Sequence, residues 1–416
     1  MDYILRKANI NGTLAAPASK SYAQRAVAAA LLAKGESTLF GMELCNDTQA
    51  ALDTAERLGA KVEKIDDTTY KITGGLDPID YKVNIGESGL ATRLFTPICT
   101  LADKEIVISG HGSIMNRPID MMQGPLSSLG AKISTTQGYL PIECNGGLSG
   151  GEADVDGSLS SQFVSGLLLA LPLAKKDSLL HVSSLKSRPY VDMTISVAES
   201  FGVEIAHRDY EEFFIEGNQQ YTPTKYSVEG DWSGASCLLV AGALAGEITV
   251  KNLLVASKQA DMVIVDALSR AGAMVATTAD TVTVGKGELK GFEFDATHCP
   301  DLFPALAALA SGCKGTSKIK GVSRLKYKES DRAQTIADIF GAMGIEISYD
   351  SEVMTIEGGE IKPCSIDSHN DHRIAMAAAV AALRLEEGQI TLSRGEAVDK
   401  SYPLFWEDIE MCKVKE

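Results

Sequence analysis

The stretch Leu58-Gly59-Ala60-Lys61-Val62 has four close counterparts further along the chain. Each reads apolar, glycine, apolar, any residue, apolar, and the five glycines lie 70 to 72 residues apart. The other copies are Leu129-Gly130-Ala131-Lys132-Ile133, Phe201-Gly202-Val203-Glu204-Ile205, Ala271-Gly272-Ala273-Met274-Val275 and Met343-Gly344-Ile345-Glu346-Ile347. Such regular spacing predicts repeated structural units, and the 416 residues would hold six of them.

Each unit combines helices with strands. The glycine follows an amphipathic stretch such as 48–58 or 331–343, so we expect it to end a helix in the left-handed region. Alternating runs then predict a β-hairpin, as in Phe213-Phe214-Ile215-Glu216-Gly217. Each of the six units also has a more apolar helix; the predicted spans are 26–33, 91–101, 163–174, 235–245, 302–310 and 374–383. The chain is therefore a mixed α/β protein, and one ring of six units or two domains of three both remain open.

The two ends of the chain belong to the same prediction. We expect the sixth unit to end with a helix over 404–411. A strand at the start of the chain would naturally complete that last unit.

Composition excludes several classes of protein. The chain has 39 Lys and Arg against 55 Asp and Glu, and a net charge of −16 argues against a dedicated nucleic-acid binder. No apolar run reaches the roughly 20 residues that span a bilayer, and no signal peptide is recognisable. Eight scattered cysteines predict reduced thiols in a cytoplasm. His369 and His372 lack further ligands nearby, so no metal is expected.

Two positions of the repeat carry charged and polar residues. At the start of the apolar helices stand Lys20-Ser21, Ser160-Ser161, Asp301 and Asp371-His372-Arg373. At the start of the amphipathic helices a cation recurs as Arg117, Arg188, Lys258, Lys328 and Lys400. A lone cation there would be an ordinary surface residue, but five in register favour convergence on a compact polyanion. Ser160-Ser161 and Asp301 could instead be helix caps, Glu329 a surface pair with Lys328, and His372 a structural histidine.

Several longer motifs resemble the 3-phosphoshikimate 1-carboxyvinyltransferase (EPSP synthase) family. They are Pro17-Ala18-Ser19-Lys20-Ser21-Tyr22-Ala23-Gln24-Arg25-Ala26, Arg117-Pro118-Ile119, Gly157-Ser158-Leu159-Ser160-Ser161-Gln162-Phe163, Val228-Glu229-Gly230-Asp231, Lys328-Glu329-Ser330-Asp331-Arg332 and Asn370-Asp371-His372-Arg373. The resemblance implies a two-domain inside-out α/β barrel with six βαβαββ repeats, three per domain. One domain would span 18–227 and the other would combine 1–17 with 228–416. The hinge would lie near Pro17 and Tyr226–Glu229, with the active site in the cleft between the domains.

The implied reaction transfers the enolpyruvyl group of phosphoenolpyruvate to the 5-hydroxyl of shikimate 3-phosphate. It passes through a tetrahedral ketal and releases phosphate, as a step towards chorismate and the aromatic amino acids. The resemblance implies no cofactor and no metal. Both substrates are small anions, and a cytoplasmic monomer is the expected form.

The resemblance also assigns site residues by position. The implied contacts of shikimate 3-phosphate are Lys20, Ser21, Arg25, Ser160, Ser161, Gln162, Ser187, Asp301 and Lys328. Those of phosphoenolpyruvate are Lys20, Gly89, Arg117, Gln162, Arg332, Arg373 and Lys400. The candidates for the proton transfers are Asp301, Glu329, Lys20 and His372. We expect Asp301 to act as the base toward the hydroxyl and Glu329 with Lys20 to act at the methylene, although the sequence does not decide between the carboxylates.

The loop of the second unit departs from the family pattern. It reads Gly86-Glu87-Ser88-Gly89-Leu90-Ala91-Thr92-Arg93-Leu94, where the family usually has Gly-Asn-Ala-Gly-Thr-x-x-Arg-Pro. Glu87 would bring a carboxylate near phosphoenolpyruvate and weaken binding unless Arg93 or Arg117 pairs with it. Leu90 and Leu94 lead us to expect weaker inhibition by glyphosate.

Two other functions are weighed against this one. A UDP-N-acetylglucosamine enolpyruvyl transferase would carry a reactive cysteine in the loop before Arg117, and residues 111–117 contain none. A catalytically dead polyanion-binding protein would have lost Asp301, Glu329, Lys20 or Arg373, and all four are present.

Overall fold

A computed structural model describes residues 2–158 and 160–414 of the chain. It divides into two compact units. The continuous unit is Ala18–Val228, and the split unit combines Met1–Pro17 with Glu229–Glu416. Along the described residues, no helix has both the length and the apolar character that crossing a membrane requires.

Helices and strands alternate along the chain in the order that the repeat predicts. The helices are α1 (Lys20–Leu32), α2 (Asn46–Arg57), α3 (Gly89–Cys99), α4 (Gln123–Ser128), α5 (Ser161–Ala170), α6 (Arg188–Ser200), α7 (Trp232–Ala245), α8 (Ile264–Ala271), α9 (Phe303–Ser311), α10 (Arg332–Ala342), α11 (His372–Ala382) and α12 (Phe405–Met411). The strands are β1 (Asp2–Leu5), β2 (Ile10–Ala15), β3 (Gly35–Phe40), β4 (Lys61–Lys64), β5 (Tyr70–Gly74), β6 (Lys82–Asn84), β7 (Ile106–Ser109), β8 (Ile133–Thr136), β9 (Tyr139–Cys144), β10 (Gly151–Asp156), β11 (Ser178–Ser183), β12 (Ala206–Arg208), β13 (Glu212–Ile215), β14 (Lys225–Ser227), β15 (Gly246–Lys251), β16 (Met274–Thr277), β17 (Thr281–Gly285), β18 (Glu293–Asp295), β19 (Thr316–Lys320), β20 (Glu346–Tyr349), β21 (Val353–Glu357), β22 (Ser365–Asp367) and β23 (Ile390–Ser393).

The continuous unit builds its sheets to one plan. The strand orders are β14-β3-β5-β4, β6-β7-β9-β8 and β10-β11-β13-β12. In each, the first two strands are parallel and the remaining pairs are antiparallel. The β4–β5, β8–β9 and β12–β13 pairs are the predicted hairpins. Because β14 is the last strand of this unit and pairs with its first, β3, the unit closes on itself.

The split unit repeats the plan with help from the N-terminal segment. Its sheets run β2-β15-β17-β16, β18-β19-β21-β20 and β22-β23-β1. The strand β1 lies antiparallel to β23, so the prediction that the chain start completes the last unit is confirmed. The next strand, β2, lies parallel to β15 in a different sheet. The sequence had not indicated this second pairing, because it joins segments more than 230 residues apart.

The repeated glycines end helices as predicted. Their φ values are +108° at Gly59, +91° at Gly130, +80° at Gly202, +94° at Gly272 and +90° at Gly344. These values lie in the left-handed region that other residues enter only at a cost. The pattern of the first quoted stretch therefore marks the turn from each amphipathic helix to its hairpin.

The apolar helices form the cores. In the continuous unit α3 packs against α1 and α5, and in the split unit α7, α9 and α11 pack against one another. Every residue of α7 is buried, as expected of a helix that is apolar on all sides. Oxygen-bearing side chains cap five of these helices by accepting a backbone N–H bond; the caps are Ser19, Ser88, Ser160, Asp231 and Asp371. Lys20, Ser161 and Arg373 therefore stand at capped helix starts.

Candidate active site

A buried arginine organises the charged residues of the split unit. Arg332, at the start of α10, has a side chain with 0% exposure. Its Nε donates to Asp371 Oδ2 at 2.9 Å, its Nη1 to Asp301 Oδ1 at 2.9 Å and its Nη2 to Glu329 Oε2 at 2.5 Å. We call these four residues the Arg332 cluster. Burial opposes the positive charge, but the three carboxylates outweigh it and raise the pKa of Arg332 above its usual range.

Asp301 receives further cations beside Arg332. Lys328 Nζ donates to Asp301 Oδ1 at 3.1 Å, and Arg373 Nη2 donates to Asp301 Oδ2 at 3.3 Å. Burial alone would raise the pKa of Asp301, but Arg373, Lys328 and Arg332 hold it well below its usual range. Burial lowers the pKa of Lys328, and Asp301 partly opposes that shift. Asp301 is therefore an ionised carboxylate whose two oxygens both face cations.

The remaining predicted residues of the split unit lie at the start of α11 or near it. Arg373 follows the cap Asp371, whose Oδ1 accepts the Arg373 backbone N–H at 3.0 Å. His372, the first residue of α11, is 1% exposed. Lys400 is buried and its Nζ donates to the carbonyl oxygen of Asn370 at 2.7 Å. The repeat thus places Arg373 and Lys400 on either side of one short turn, residues 369–371.

Lys20 starts the first helix of the continuous unit and pairs with an acid. Its Nζ lies 3.0 Å from Asp47 Oδ2, and both side chains are 12% exposed. Ser21 is half-buried. Arg25, one turn further along α1, is fully buried and donates to Ser21 O at 2.8 Å, Tyr190 O at 3.1 Å and Thr194 Oγ1 at 2.7 Å. Burial lowers the pKa of Arg25 to about 10. Its predicted contact with a ligand stays a prediction.

The polar residues at α5 and α6 have different roles in the structure. Ser160 caps α5 by accepting the Gln162 backbone N–H at 3.2 Å, which matches the simpler interpretation of this pair. Ser161 is buried at the first position of α5. Gln162 Oε1 is buried and has no hydrogen-bond partner among the described residues. Ser187 precedes α6 in the left-handed conformation, with φ +54°.

Gly89 and Arg117 touch each other. A Cβ at Gly89 would stand 2.4 Å from Arg117 Nη1, so only glycine lets the guanidinium lie there. Arg117 is buried. Arg93 donates to the carbonyl oxygens of Gly89 at 3.0 Å and of Pro118 at 3.1 Å, which ties the start of α3 to the segment after Arg117.

The structure adds local partners to two of the sequence-based expectations. Arg188 is exposed and its guanidinium carbon lies 5.2 Å from the centre of the Tyr210 ring. Lys258 is exposed as well. Equivalent positions in the repeat fix where the Cα atoms lie, but the direction of a long side chain depends on its local contacts. Glu87 accepts the backbone N–H of Ser113 at 2.9 Å, a partner that was not among the two considered for it.

Asp47 and Asp261 escaped the sequence analysis, and Asp371 was quoted in a motif without a role. Asp47 pairs with Lys20, and Asp371 caps α11 while it binds Arg332. Asp261 is buried and accepts the hydroxyl of Ser233. An acid in the first turn of α2 was the available signal for Asp47, and the N-cap position before α11 was the signal for Asp371. Only the fold shows which cation each one meets. Among the described residues, no three His, Cys, Asp or Glu side chains group as metal ligands.

Comparison with known proteins identifies the family of this chain. A family model described as EPSP synthase (3-phosphoshikimate 1-carboxyvinyltransferase) matches residues 5–409. The chain belongs to the EPSP synthase family. A family member from Clostridium acetobutylicum, a 3-phosphoshikimate 1-carboxyvinyltransferase, is 38% identical over 408 residues, which cover 96% of this chain and 95% of that one. One from Methanococcoides burtonii is 37% identical over 418 residues, 98% of this chain and 97% of that one.

Solved structures place the fold in the same family. The EPSP synthase of Acinetobacter baumannii superposes with a TM-score of 0.83 at 26% identity, covering 100% of this chain and 98% of that one. The enolpyruvyl transferase NikO of Streptomyces tendae has a TM-score of 0.79 at 18% identity, covering 99% and 97%, which shows a shared fold. The mixed α/β repeat architecture expected for the EPSP synthase family is therefore confirmed.

Proposed function

We propose that this chain transfers the enolpyruvyl group of phosphoenolpyruvate to the 5-hydroxyl of shikimate 3-phosphate. Family membership over residues 5–409 is the observation that carries the proposal. The buried and half-buried cations support it, because each substrate presents a phosphate and a carboxylate. A guanidinium or ammonium beside such groups forms the strong, charge-assisted bonds that hold small anions.

The proposed binding residues follow the family pattern. For shikimate 3-phosphate we propose Lys20, Ser21, Arg25, Ser160, Ser161, Gln162, Ser187, Asp301 and Lys328. For phosphoenolpyruvate we propose Lys20, Gly89, Arg117, Gln162, Arg332, Arg373 and Lys400. The open acceptor on Gln162 supports its role, since a buried carbonyl oxygen without a partner is costly until a donor arrives.

Asp301 fits the role of base once substrates are bound. With three cations around it, Asp301 keeps a low pKa and accepts protons poorly. Anionic substrates that bind Lys328 and Arg373 would reduce the hold of those cations on Asp301 and raise its proton affinity. The carboxylate could then take the hydroxyl proton while the oxygen bonds to the central carbon of phosphoenolpyruvate.

The methylene carbon must gain a proton as the ketal forms and lose one when phosphate leaves. We assign that transfer to Glu329 with Lys20, both of which are only partly exposed. A carboxyl group or an ammonium can donate a proton and later accept it back. His372 remains a candidate on sequence grounds, and its burial favours a positioning role in which it supports the start of α11.

Domain arrangement and location belong to the same proposal. We propose domains of three repeats each, 18–227 and 1–17 with 228–416, that hinge near Pro17 and Tyr226–Glu229. The eight cysteines are free thiols, seven of them buried, which supports a reducing cytoplasm. A monomer is the proposed state, and size-exclusion chromatography with light scattering would test it.

The first experiment measures phosphate release from phosphoenolpyruvate with shikimate 3-phosphate, with UDP-N-acetylglucosamine and without an acceptor. Release only with shikimate 3-phosphate supports the proposal, and release with UDP-N-acetylglucosamine would replace it with the other transferase. If folded protein binds shikimate 3-phosphate but releases no phosphate in any of these reactions, the result would favour a binding protein. Asp301→Ala should abolish release, while Asp295→Ala, an exposed acid on the preceding strand, should leave it unchanged.

A further inference from the structure

Two loops of the continuous unit run side by side. Residues 85–88 follow β6 and residues 110–117 follow β7, and these strands are parallel neighbours. The backbone N–H of His111 donates to Gly86 O at 3.0 Å, and that of Ser113 donates to Glu87 Oε2 at 2.9 Å. One backbone bond and one side-chain bond therefore connect the loops.

The Glu87 carboxylate fits closely against Gly112. Gly112 has φ +64°, and a Cβ there would stand 2.3 Å from Glu87 Cδ and 2.4 Å from its Oε2. A residue with a side chain would displace the carboxylate. The acid and the glycine thus form one contact, in which the missing Cβ lets Glu87 reach the Ser113 N–H.

This contact lies at the start of the short 3₁₀ helix Gly112–Asn116, which ends at Arg117. The backbone N–H of Arg117 donates to Ile114 O at 3.1 Å, so the position of Arg117 depends on this turn. The guanidinium at the end of the Arg117 side chain lies against Gly89, two residues beyond Glu87. Glu87 therefore holds the turn from a loop that leads directly into Gly89, the residue against which the guanidinium lies.

We propose that Glu87 is a positioning residue, which holds the 110–117 turn through Ser113 and Gly112 so that Arg117 points at Gly89. The acid acts on the anionic substrate through Arg117, not by touching it. The assignment of phosphoenolpyruvate to Arg117 rests on the proposed function. The positioning of the 110–117 turn by Glu87 does not depend on that function.

Kinetics of three variants test the consequence for substrate binding. Glu87→Ala removes the acceptor and should raise the KM for phosphoenolpyruvate about tenfold, the scale of a lost hydrogen bond to a charged group. The KM for shikimate 3-phosphate should change less than about twofold, within the scatter of a distant substitution. Glu87→Gln keeps an acceptor oxygen and should restore most of the affinity. Glu105→Ala, an exposed acid just before β7, is the control and should behave as wild type.

A double variant shows whether the effect passes through Arg117. After Arg117→Ala, adding Glu87→Ala should cost no further affinity for phosphoenolpyruvate, because the group that it positions is gone. Additive losses would overturn the proposal, and so would equal increases in KM for both substrates.

Hydrogen exchange separates this inference from the proposed function. In Glu87→Ala, peptides that cover 110–118 should exchange faster than in wild type, while Glu87→Gln and Glu105→Ala should not. If the wild type transfers no enolpyruvyl group but this pattern appears, the proposed function fails and the positioning role stands. Unchanged exchange in Glu87→Ala would overturn the positioning role even in an active enzyme.

Discussion

In the split unit Arg332 is enclosed by three carboxylates, whereas in the continuous unit Arg25 and Arg93 donate mainly to backbone carbonyl oxygens. Arg332 is balanced by carboxylates, whereas Arg25 and Arg93 are satisfied mainly by the polypeptide backbone. The difference matters because removing one member of a buried ion pair strands a charge, while a carbonyl oxygen left alone costs less. The Arg332 cluster should therefore be the more sensitive of the two regions.

The largest effect is expected from Arg332→Ala. It would leave Asp301, Glu329 and Asp371 without their shared cation, and should lower the free energy of unfolding by about 3–5 kcal/mol. Urea denaturation at pH 7 measures the loss. The matched variant Arg93→Ala, which removes mainly bonds to carbonyl oxygens, should cost clearly less. Equal losses from the two variants would contradict the comparison.

The buried acid Asp261 predicts a stability that depends on pH. Burial first, then Asp301 and Asp231, raise the pKa of Asp261 to about 6, while Arg373 and the Ser233 hydroxyl oppose the shift. A carboxyl whose pKa rises on folding binds its proton more tightly in the folded state, so its contribution weakens as pH rises from about 4 to about 6. Asp261→Asn should therefore gain about 2 kcal/mol relative to wild type between pH 4 and pH 7.

Thermal or urea unfolding of Asp261→Asn and wild type across that range measures the difference. Asp266→Asn, an exposed acid on α8, is the control and should follow the wild-type curve. A difference between Asp261→Asn and wild type that stays constant from pH 4 to pH 7 would show that Asp261 does not titrate there.

A smaller effect is expected at the ion pair of the continuous unit. Asp47→Asn removes one carboxylate from Lys20, whereas Arg332→Ala leaves three acids without their shared cation. The loss should be about 1 kcal/mol, below that of Arg332→Ala. Denaturation measures it, with Asp53→Asn on the exposed side of α2 as the control. A loss as large as that of Arg332→Ala would remove the distinction between the units.

The smallest effect concerns glyphosate. Leu90 and Leu94 are buried in the first turns of α3, beside the Gly89 that Arg117 touches. Changing both to the Thr and Pro usual in the family should tighten inhibition with little change in turnover. The inhibition constant measures this, with the melting temperature recorded because Pro can disturb a helix. An unchanged constant in a folded double variant would contradict the expectation.

Local chemistry explains why so much of the fold could be predicted. A glycine that leaves a helix, an alternating hairpin and an apolar helix each depend on a few adjacent residues, and all three recur with the period. The boundaries were less accurate: α1 begins at Lys20 and not at residue 26, and α5 gives way to a 3₁₀ turn at Leu171–Leu173. The first shift arises because a polar capping residue starts a helix before its apolar run does. The second arises at Pro172, which lacks the N–H that a continuing α-helix needs.

The sequence by itself determined the repeat, the helix ends, the hairpins and, through its motifs, the family and most candidate residues. Only the tertiary structure decided that β14 pairs with β3 and β2 with β15, because strand pairing across the chain leaves no local pattern. It also decided which groups the charged side chains contact: Lys20 pairs with Asp47, Glu87 accepts from Ser113, and Arg332 binds three acids. The residue type determines which groups a side chain can bind, and the fold determines which of those groups lie close enough to bind.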